Sequence, residues 1–422
     1  MKRFIIFLLV LCIFLQTSTN ATVFAKDAPP AVSADSVVLI DAETGTILYS
    51  KNMNSAYPPA STTKIMTALL SIEKTNLNEI VTVSKKTPYV DGSKIGIFEG
   101  EQISVKDLLY GLLLLSGNDC AEALAEHIGG SIENFSKLMT ERAKELGCEN
   151  TNFVNPHGLY DDNHRTSAKD LALILREAMK HPEFREIAST FSYKIPPTNK
   201  HPEGIHLANE NKLINKNSKY YYPNAEAGKT GYTVQSRFSY VASASKNGQR
   251  LIAAFVHSTN KTYYDDSKKL FEYGFNNFEL VPLYKKGDLV TTYSRGGLSV
   301  PLMAADDYFY VKEKGSSDQP QCKVAETDLT TKDFKKGDNI AETAVTLKDK
   351  TLPNLELLSG ADHEVKTAVE TTAPVKVSEK LNIDMKNNWI YGAGAAAIAL
   401  IGIATILIRK FKKKKRRKLK II

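Results

Sequence analysis

Apolar and polar positions in residues 33–278 follow two periods, one typical of strands and one typical of helices. Short runs rich in β-branched residues flank the polar segments 42–45 and 246–249, and each arrangement predicts a β-hairpin. Apolar residues spaced three and four apart predict helices at about residues 62–73, 105–115, 132–146, 168–179 and 265–273. Strands at both ends with helices between them predict an α+β domain in which helices cover an antiparallel sheet.

The pattern changes after this domain. Residues 279–360 are short strand-like runs separated by turns, which predicts a small all-β domain. The sequence KKGD at residues 285–288 recurs at residues 335–338, and we interpret the two copies as turns rather than as a true repeat. Residues 361–388 begin with a stretch rich in Thr, Val, Ala and Glu and are predicted to be a linker.

The N-terminus carries an export signal. Lys2 and Arg3 precede twelve apolar residues, and small side chains follow at the position of cleavage, so residues 1–25 are predicted to be a signal peptide. Twelve residues are too few to cross a bilayer as a helix.

The C-terminus carries a different signal. Residues 389–408 are uncharged, mostly apolar and long enough to span a bilayer, and a basic tail follows at residues 409–422. By the positive-inside rule this tail is cytoplasmic and the body of the protein lies outside the cell. The alternative, a buried helix followed by a nucleic-acid-binding tail, fits poorly with a signal peptide.

The net charge of the 422-residue chain is +8, which could favour nucleic acid as a partner. Twelve of the 55 basic residues lie at the two ends, and neither end carries an acid. Without these twelve, 43 basic residues stand against 47 acidic ones, so the rest of the chain has a charge of about −4. We therefore expect no nucleic-acid partner.

Composition narrows the protein class further. Hydrophobic residues make up 42% of the chain, which excludes a disordered or collagen-like protein. Cys120, Cys148 and Cys322 are odd in number and fit neither a disulfide framework nor a zinc pattern, so we expect free thiols. Two His and two Asp within residues 157–164 could suggest a metal site, but they lack ligand pairs at helical spacing, and we interpret them as a polar loop with no metal.

Three short motifs carry the chemistry: SxxK, SGN and KTG, which begin at Ser61, Ser116 and Lys229. Ser61 opens an apolar helical run, so Ser61 and Lys64 are expected on one helix face. A serine hydroxyl is a weak nucleophile at neutral pH and needs a base. We expect burial and the charge of Lys229 to lower the pKa of Lys64, so that its amine can take the serine proton.

The other motif residues suggest further roles. Ser116 would relay a proton toward the leaving group, and the Asn118 amide can hold a substrate carbonyl and the base. Lys229 and Thr230, on a strand, offer a cation and a hydroxyl for a substrate carboxylate. Gly231 would leave room for an acyl chain along that strand.

The three motifs in this order are also those of penicillin-recognising serine enzymes. With PPASTTKIMT at 58–67, LSGNDCA at 115–121, NPHGL at 155–159 and KTGYT at 229–233, the chain resembles the low-molecular-mass penicillin-binding proteins that are D-alanyl-D-alanine carboxypeptidases. The resemblance covers about residues 33–358. It implies a β-lactamase/transpeptidase-like catalytic domain at 33–278, followed by the family's small second domain.

The resemblance also implies a reaction: cofactor-free hydrolysis of the last D-alanine from peptidoglycan stem peptides through an acyl-enzyme, with β-lactams as inhibitors. The site residues that it implies are the nucleophile Ser61, the general base Lys64, the proton relay and peptide contacts Ser116 and Asn118, the carboxylate ligands Lys229, Thr230 and Thr233, and an oxyanion hole from the N–H groups of Ser61 and Tyr232.

The chain departs from the family pattern in two places. VQSR at residues 234–237 stands where the family usually has an acidic or polar pair followed by Ala-Gly. Arg237 could assist in binding the substrate carboxylate, although a surface arginine is the simpler interpretation. A spanning helix at 389–408 replaces the amphipathic helix through which many family members attach to the membrane.

Two other function classes remain open. A class A β-lactamase shares the Ser, Lys and KTG motifs but needs a deacylating glutamate in an ExxLN pattern, which is absent between the second and third motifs. A non-catalytic wall-binding protein could retain the fold, but the intact Ser61, Lys64, Ser116 and Lys229 argue against it. We therefore favour a serine-type carboxypeptidase of cell-wall synthesis and remodelling.

Overall fold

A computed structural model describes residues 28–365 of the chain. The predicted signal peptide, membrane span and basic tail, and all but the first residues of the predicted linker, lie outside the described residues. Within residues 28–365, no helix combines the length and the apolar content that crossing a bilayer requires.

The catalytic domain is built on an antiparallel five-stranded sheet with the order β2-β1-β9-β8-β7. Its strands are β1 (Ala34–Asp41), β2 (Ile47–Lys51), β7 (Ala225–Thr233), β8 (Arg237–Lys246) and β9 (Gln249–Ser258). Both predicted hairpins are confirmed, as β1–β2 and β8–β9. Strand β7, which carries the KTG motif, lies at an edge of the sheet, so one side of its backbone is open.

Seven α-helices and two small β-ribbons complete the described part of this domain. The helices are α1 (Lys64–Lys74), α2 (Val105–Leu114), α3 (Asn118–Gly129), α4 (Ile132–Glu145), α5 (Ala168–Ala178), α6 (Pro182–Ser189) and α7 (Tyr263–Asn277). The ribbons are β3 (Ile80–Thr82) with β4 (Gln102–Ser104) and β5 (Ser192–Ile195) with β6 (Ile205–Ala208). All five predicted helices are present, whereas α3 and α6 were not predicted from the apolar spacing.

The central sheet is covered on both faces. Val38 and Val241 belong to an apolar core shared with helices α1 to α6, and Leu39 and Phe255 belong to a second core shared with α7. Because alternate residues of β1 face the two cores, both sets are apolar and the strand reads as a continuous hydrophobic run. The predicted α+β architecture is therefore confirmed.

The second domain is all-β, as predicted. A five-stranded sheet has the order β11-β12-β16-β15-β14, and β10 pairs with β13 in a separate ribbon. The strands are β10 (Phe278–Tyr284), β11 (Leu289–Arg295), β12 (Leu298–Ala304), β13 (Tyr308–Glu313), β14 (Gln321–Val324), β15 (Asn339–Leu347) and β16 (Lys350–Ser359). An isolated antiparallel β-bridge between Phe334 and His363 extends the domain three residues past its predicted end at residue 360.

The two KKGD segments form turns, but the prediction that they are not a true repeat is wrong at the level of structure. In each turn the Asp carboxylate accepts the N–H of the first Lys at 2.8 Å. In each, the glycine N–H donates at 2.8 Å to the end of the next hairpin, at Ala304 in one copy and Ser359 in the other. The two hairpins meet through β12 and β16 about a pseudo-twofold axis, since Ala305 N–H donates to Glu356 and Gly360 N–H to Pro301.

Candidate active site

Ser61 lies in a short 3₁₀ turn, Ala60–Thr63, that leads directly into α1. Ala60 has a φ of 52°, in the left-handed region that non-glycine residues rarely adopt. The Thr63 hydroxyl donates to the Ala60 carbonyl at 2.8 Å, and this bond fixes the turn. Since side chains three apart eclipse in a 3₁₀ turn, Ser61 and Lys64 lie on one side, as the SxxK spacing predicts.

Lys64 is completely buried and has three polar neighbours. Its Nζ lies 3.1 Å from Ser61 Oγ and donates to Asn118 Oδ1 at 2.6 Å and to the His157 carbonyl at 2.7 Å. Burial lowers the pKa of Lys64 well below its ordinary value, and the charge of Lys229 lowers it further. The first two motifs therefore meet at one amine that is set up to be neutral.

Ser116 and Asn118 occupy the junction between α2 and α3. Ser116 is buried, and its φ of 60° turns the chain sharply from one helix to the next. The Asn118 amide donates from Nδ2 to the Asp91 carbonyl at 2.6 Å while its Oδ1 receives the lysine. These contacts fix the orientation of the amide, with its oxygen toward the base.

Asp119 supports this arrangement, and we did not identify it from the sequence. Its buried carboxylate accepts backbone N–H groups of Ile95, Gly96 and Ile97 at 2.8–3.3 Å. The loop that it holds also supplies the Asp91 carbonyl that binds Asn118. The only sign of this role in the sequence is that Asp119 follows Asn118 directly in the motif. The sequence does not show which loop its carboxylate anchors.

The NPHGL segment packs against the 3₁₀ turn that carries Ser61 and against the start of α1. The Pro156 carbonyl accepts the Thr67 hydroxyl at 2.5 Å, and the His157 carbonyl accepts Lys64. A Cβ on Gly158 would lie 1.9 Å from the Ala60 carbonyl oxygen, and the φ of this glycine is +90°. Only glycine permits this contact, so the segment acts through its backbone.

His164 is buried and contacts the turn that carries Ser61, whereas the sequence predicted only that it belongs to a polar loop. Its Nδ1 accepts the Val154 N–H at 3.1 Å, so its Nε2 carries the proton toward the Thr63 hydroxyl at 2.8 Å. Burial lowers the pKa of His164 to about 3, and the ring is neutral at physiological pH. It therefore belongs to the hydrogen-bonded chain that ends at the Ala60 carbonyl.

A group of three potential metal ligands lies apart from this site. Glu73, Glu177 and His181 place ligand atoms within 4.8 Å of one another. However, Arg142 already bridges the two carboxylates, at 2.8 and 3.4 Å. The group is therefore an ion-pair network.

Strand β7 brings the third motif against the 3₁₀ turn that carries Ser61. Lys229 is buried, which lowers its pKa to about 8, and the charge of Glu210 acts to raise it. A Cβ on Gly231 would lie 2.8 Å from the Pro59 carbonyl and 2.9 Å from the Ser61 nitrogen. The predicted role of Gly231, room for an acyl chain, therefore needs correction: the glycine is needed for contact between the strand and the nucleophile turn.

The last two KTGYT residues differ in their surroundings. Tyr232 is 56% exposed and stacks on Phe238 with ring centroids 4.6 Å apart. The Thr233 hydroxyl donates to Ser236 Oγ at 2.7 Å and accepts the Ser236 N–H at 2.9 Å. The structure thus gives Thr233 a place in the β7–β8 turn, and its implied contact with a carboxylate stays a prediction.

Comparison with protein families identifies the catalytic domain. Residues 22–260 match the family model described as D-alanyl-D-alanine carboxypeptidase, peptidase S11. The chain belongs to this family. Residues 278–365 match the C-terminal domain of penicillin-binding protein 5, which agrees with the all-β domain.

Individual relatives agree with the family. The chain is 38% identical over 302 residues to D-alanyl-D-alanine carboxypeptidase DacF of Bacillus subtilis, covering 69% of this chain and 75% of the relative. It is 33% identical over 348 residues to DacA of Haemophilus influenzae, covering 78% and 86%. A solved structure of penicillin binding protein 5 from H. influenzae matches with a TM-score of 0.67 and 32% identity, covering 80% of this chain and 99% of that one.

The activity of the chain is therefore that of a serine-type D-alanyl-D-alanine carboxypeptidase, with peptidoglycan stem peptides as substrates and penicillins as ligands. The carboxypeptidase family fits the geometry, since Lys64, Asn118 and Ser61 are in hydrogen-bond contact and β7 lies against the same turn.

Proposed function

We propose that Ser61 is the nucleophile of the carboxypeptidase and that Lys64 is its general base. A neutral Lys64 amine uses its two N–H groups on Asn118 and His157, which leaves its lone pair for the Ser61 hydroxyl proton. The 3.1 Å contact between Nζ and Oγ is the observation that carries this assignment.

The remaining groups act on the substrate. Ser61 Oγ attacks the carbonyl of the penultimate D-alanine, and the N–H groups of Ser61 and Tyr232 stabilise the oxyanion. Lys229 and Thr230 bind the terminal carboxylate, and Gly231 holds β7 at the distance this requires. Ser116 passes the proton to the leaving amine, D-alanine departs, and water then hydrolyses the ester on Ser61.

A matched pair of serine variants tests the nucleophile. Ser61→Ala is expected to abolish covalent labelling by a fluorescent penicillin and D-alanine release from a peptide ending in D-Ala-D-Ala. Ser71→Ala is the control, because Ser71 is buried on α1 and its hydroxyl donates to the Thr67 carbonyl. Persistent labelling of Ser61→Ala, or equal loss in both variants, would contradict the assignment.

Location and anchoring belong to the same proposal. The export signal at residues 1–25, the apolar stretch at 389–408 and the basic tail at 409–422 support a single-pass membrane protein with its catalytic body outside the cytoplasm. Ending the chain at residue 388 is expected to move the activity from the membrane fraction to the soluble fraction. Activity that stays with the membrane after this truncation would contradict the anchor.

A further inference from the structure

Arg237 occupies an unusual backbone position at the end of the substrate strand. It follows the three-residue loop between β7 and β8 and pairs with Thr233. Its φ is 56°, the left-handed conformation that such hairpins normally give to glycine. A side chain other than hydrogen costs conformational energy in this backbone conformation, which suggests that the arginine side chain itself has a function.

The guanidinium of Arg237 is exposed, and nothing in the described chain pairs with it by a hydrogen bond or ion pair. The turn that presents it is rigid, because Thr233 and Ser236 are bonded twice across the loop. Lys261 is a second exposed cation, and its Nζ lies 6.0 Å from the centre of the Phe238 ring, which stacks on Tyr232. Arg237 precedes Phe238 in the chain, so this ring pair has one cation next to it in sequence and another over its ring.

The direction of the substrate follows from the order of groups on β7. The carboxylate end lies at Lys229, and the scissile carbonyl lies beside Ser61, which contacts Gly231. The acyl side of the peptide must then continue past Tyr232 toward the β7–β8 turn. At about 3.3 Å per residue, a peptide residue one or two positions before the scissile bond lies within range of the Arg237 side chain.

We propose that Arg237, assisted by Lys261 at the Phe238 ring, forms an anion subsite that binds a free carboxylate on the acyl side of the scissile bond. The enzyme then prefers stem peptides that carry such a carboxylate. This inference rests on the proposed function, since it uses the orientation that the nucleophile and the carboxylate site impose. A local pair of cations also offsets the repulsion between an anionic peptide and a body with a charge of about −4.

Two synthetic peptides ending in D-Ala-D-Ala test the subsite. They differ only in a free carboxylate or a carboxamide on the residue two positions before the scissile bond. For the wild-type chain we expect a kcat/KM about 5- to 20-fold higher for the carboxylate peptide, mainly through KM. Arg237→Gln is expected to reduce this ratio to below about 2-fold, Arg237→Lys to keep part of it, and Lys261→Gln to lower it less.

Benzylpenicillin separates this subsite from the terminal carboxylate site, because it has a ring carboxylate and a neutral acyl group. Its acylation rate is expected to change less than 2-fold in Arg237→Gln. Lys348→Gln is the control. Lys348 is also a cationic residue with a left-handed backbone conformation in a hairpin turn, but it lies in the β domain. Arg237→Gly is expected to melt at the same temperature as the wild-type chain or higher.

Three results would overturn the subsite: an unchanged peptide ratio in Arg237→Gln, a parallel fall in penicillin acylation, or a lower melting temperature of Arg237→Gly. The second would assign Arg237 to the terminal carboxylate, and the third would assign it to stability. Failure of the proposed function is distinguishable, since the wild-type chain would then release no D-alanine from either peptide, which overturns both proposals.

Discussion

Individual residues of the site have opposing electrostatic requirements. In the roles that we propose, Lys64 must be neutral to accept a proton, whereas Lys229 must be charged to bind a carboxylate, and both amines are buried. Each lysine is influenced by Glu210, an exposed acid on the segment that follows β6. The backbone of Glu210 is fixed, because its N–H donates to Leu114 at 3.1 Å and its carbonyl accepts the Tyr264 hydroxyl.

The pH profile follows from these charges. With a pKa of about 8, Lys229 loses its proton above pH 8, so KM for a carboxylate-ended peptide is expected to rise there. Glu210→Gln removes a charge that raises this pKa, so the alkaline limb of kcat/KM is expected to move to lower pH. Exposed Glu203 offers the control variant Glu203→Gln. An alkaline limb at the same pH in all three proteins would contradict the coupling.

His164 makes a separate prediction about stability. Its pKa is about 3 in the folded chain and about 6.5 when unfolded, so the unfolded state takes up the proton first as the pH falls. Stability from the neutral ring is complete above pH 6.5 and is lost progressively below it. Between pH 6.5 and 5 the loss is about 2 kcal/mol.

Urea unfolding at pH 7.5 and 5.0 measures this loss. The free energy of unfolding of the wild-type chain is expected to fall by about 2 kcal/mol more than that of His164→Gln between the two pH values. Equal pH dependence in the two proteins would show that the ring is not held neutral by burial.

At the scale of elements, regular patterns were predictable and contacts across the chain were not. Helical spacing located α1, α2, α4, α5 and α7, and paired apolar runs located two hairpins. Helix α3 was not predicted, because it begins at Asn118, inside the SGN motif. The supports Asp119 and His164 act over separations of 22 to 101 residues, which no local pattern encodes.

The same limit explains what the sequence left open at Gly231 and Thr233 of β7. A glycine in a strand indicates that something approaches closely, but not whether it is substrate or protein. Here the Ser61 turn occupies that space. Likewise the sequence does not show that the Thr233 hydroxyl bonds within the turn, to Ser236, which is buried three residues away.

The pseudo-twofold arrangement of the β domain makes an element-scale prediction. Asp288 and Asp338 each accept one lysine N–H at 2.8 Å in equivalent turns. Asp288→Ala and Asp338→Ala are therefore expected to lower the free energy of unfolding by the same amount, about 1 kcal/mol or less. Chemical denaturation of both variants measures it, and a difference above about 1 kcal/mol would show that the turns are not equivalent.

At the scale of the molecule, the two domains share apolar packing. Val311 of β13 is buried in the second core of the catalytic domain, and Leu280 of β10 packs against that core. The Lys314 N–H also donates to the Asn277 carbonyl at the end of α7 at 2.8 Å. The β10–β13 ribbon is thus part of the support for α7, although it belongs to the β domain.

Removing the β domain is therefore expected to affect stability more than chemistry. A chain of residues 28–278 lacks the two aliphatic side chains, Leu280 and Val311, that pack in this core. Its free energy of unfolding is expected to be about 2–4 kcal/mol lower than that of residues 28–365. Its rate of acylation by penicillin per folded molecule is expected to stay within about 2-fold, because no described site residue lies after residue 278. Unchanged stability would show that the ribbon contributes nothing to the catalytic core.

The open edge of β7 carries a buried ammonium at Lys229, and this has a consequence for the cell wall. With the carboxylate site that we propose at Lys229, a peptide can enter only by a free carboxyl terminus. A cross-linked stem that offers no free carboxylate on the leaving side of its amide is therefore not expected to be cut, and a trimmed stem no longer carries two D-alanines. We therefore expect each uncrosslinked stem to be processed once and existing cross-links to be left intact, so that the enzyme limits future linkage without loosening the wall.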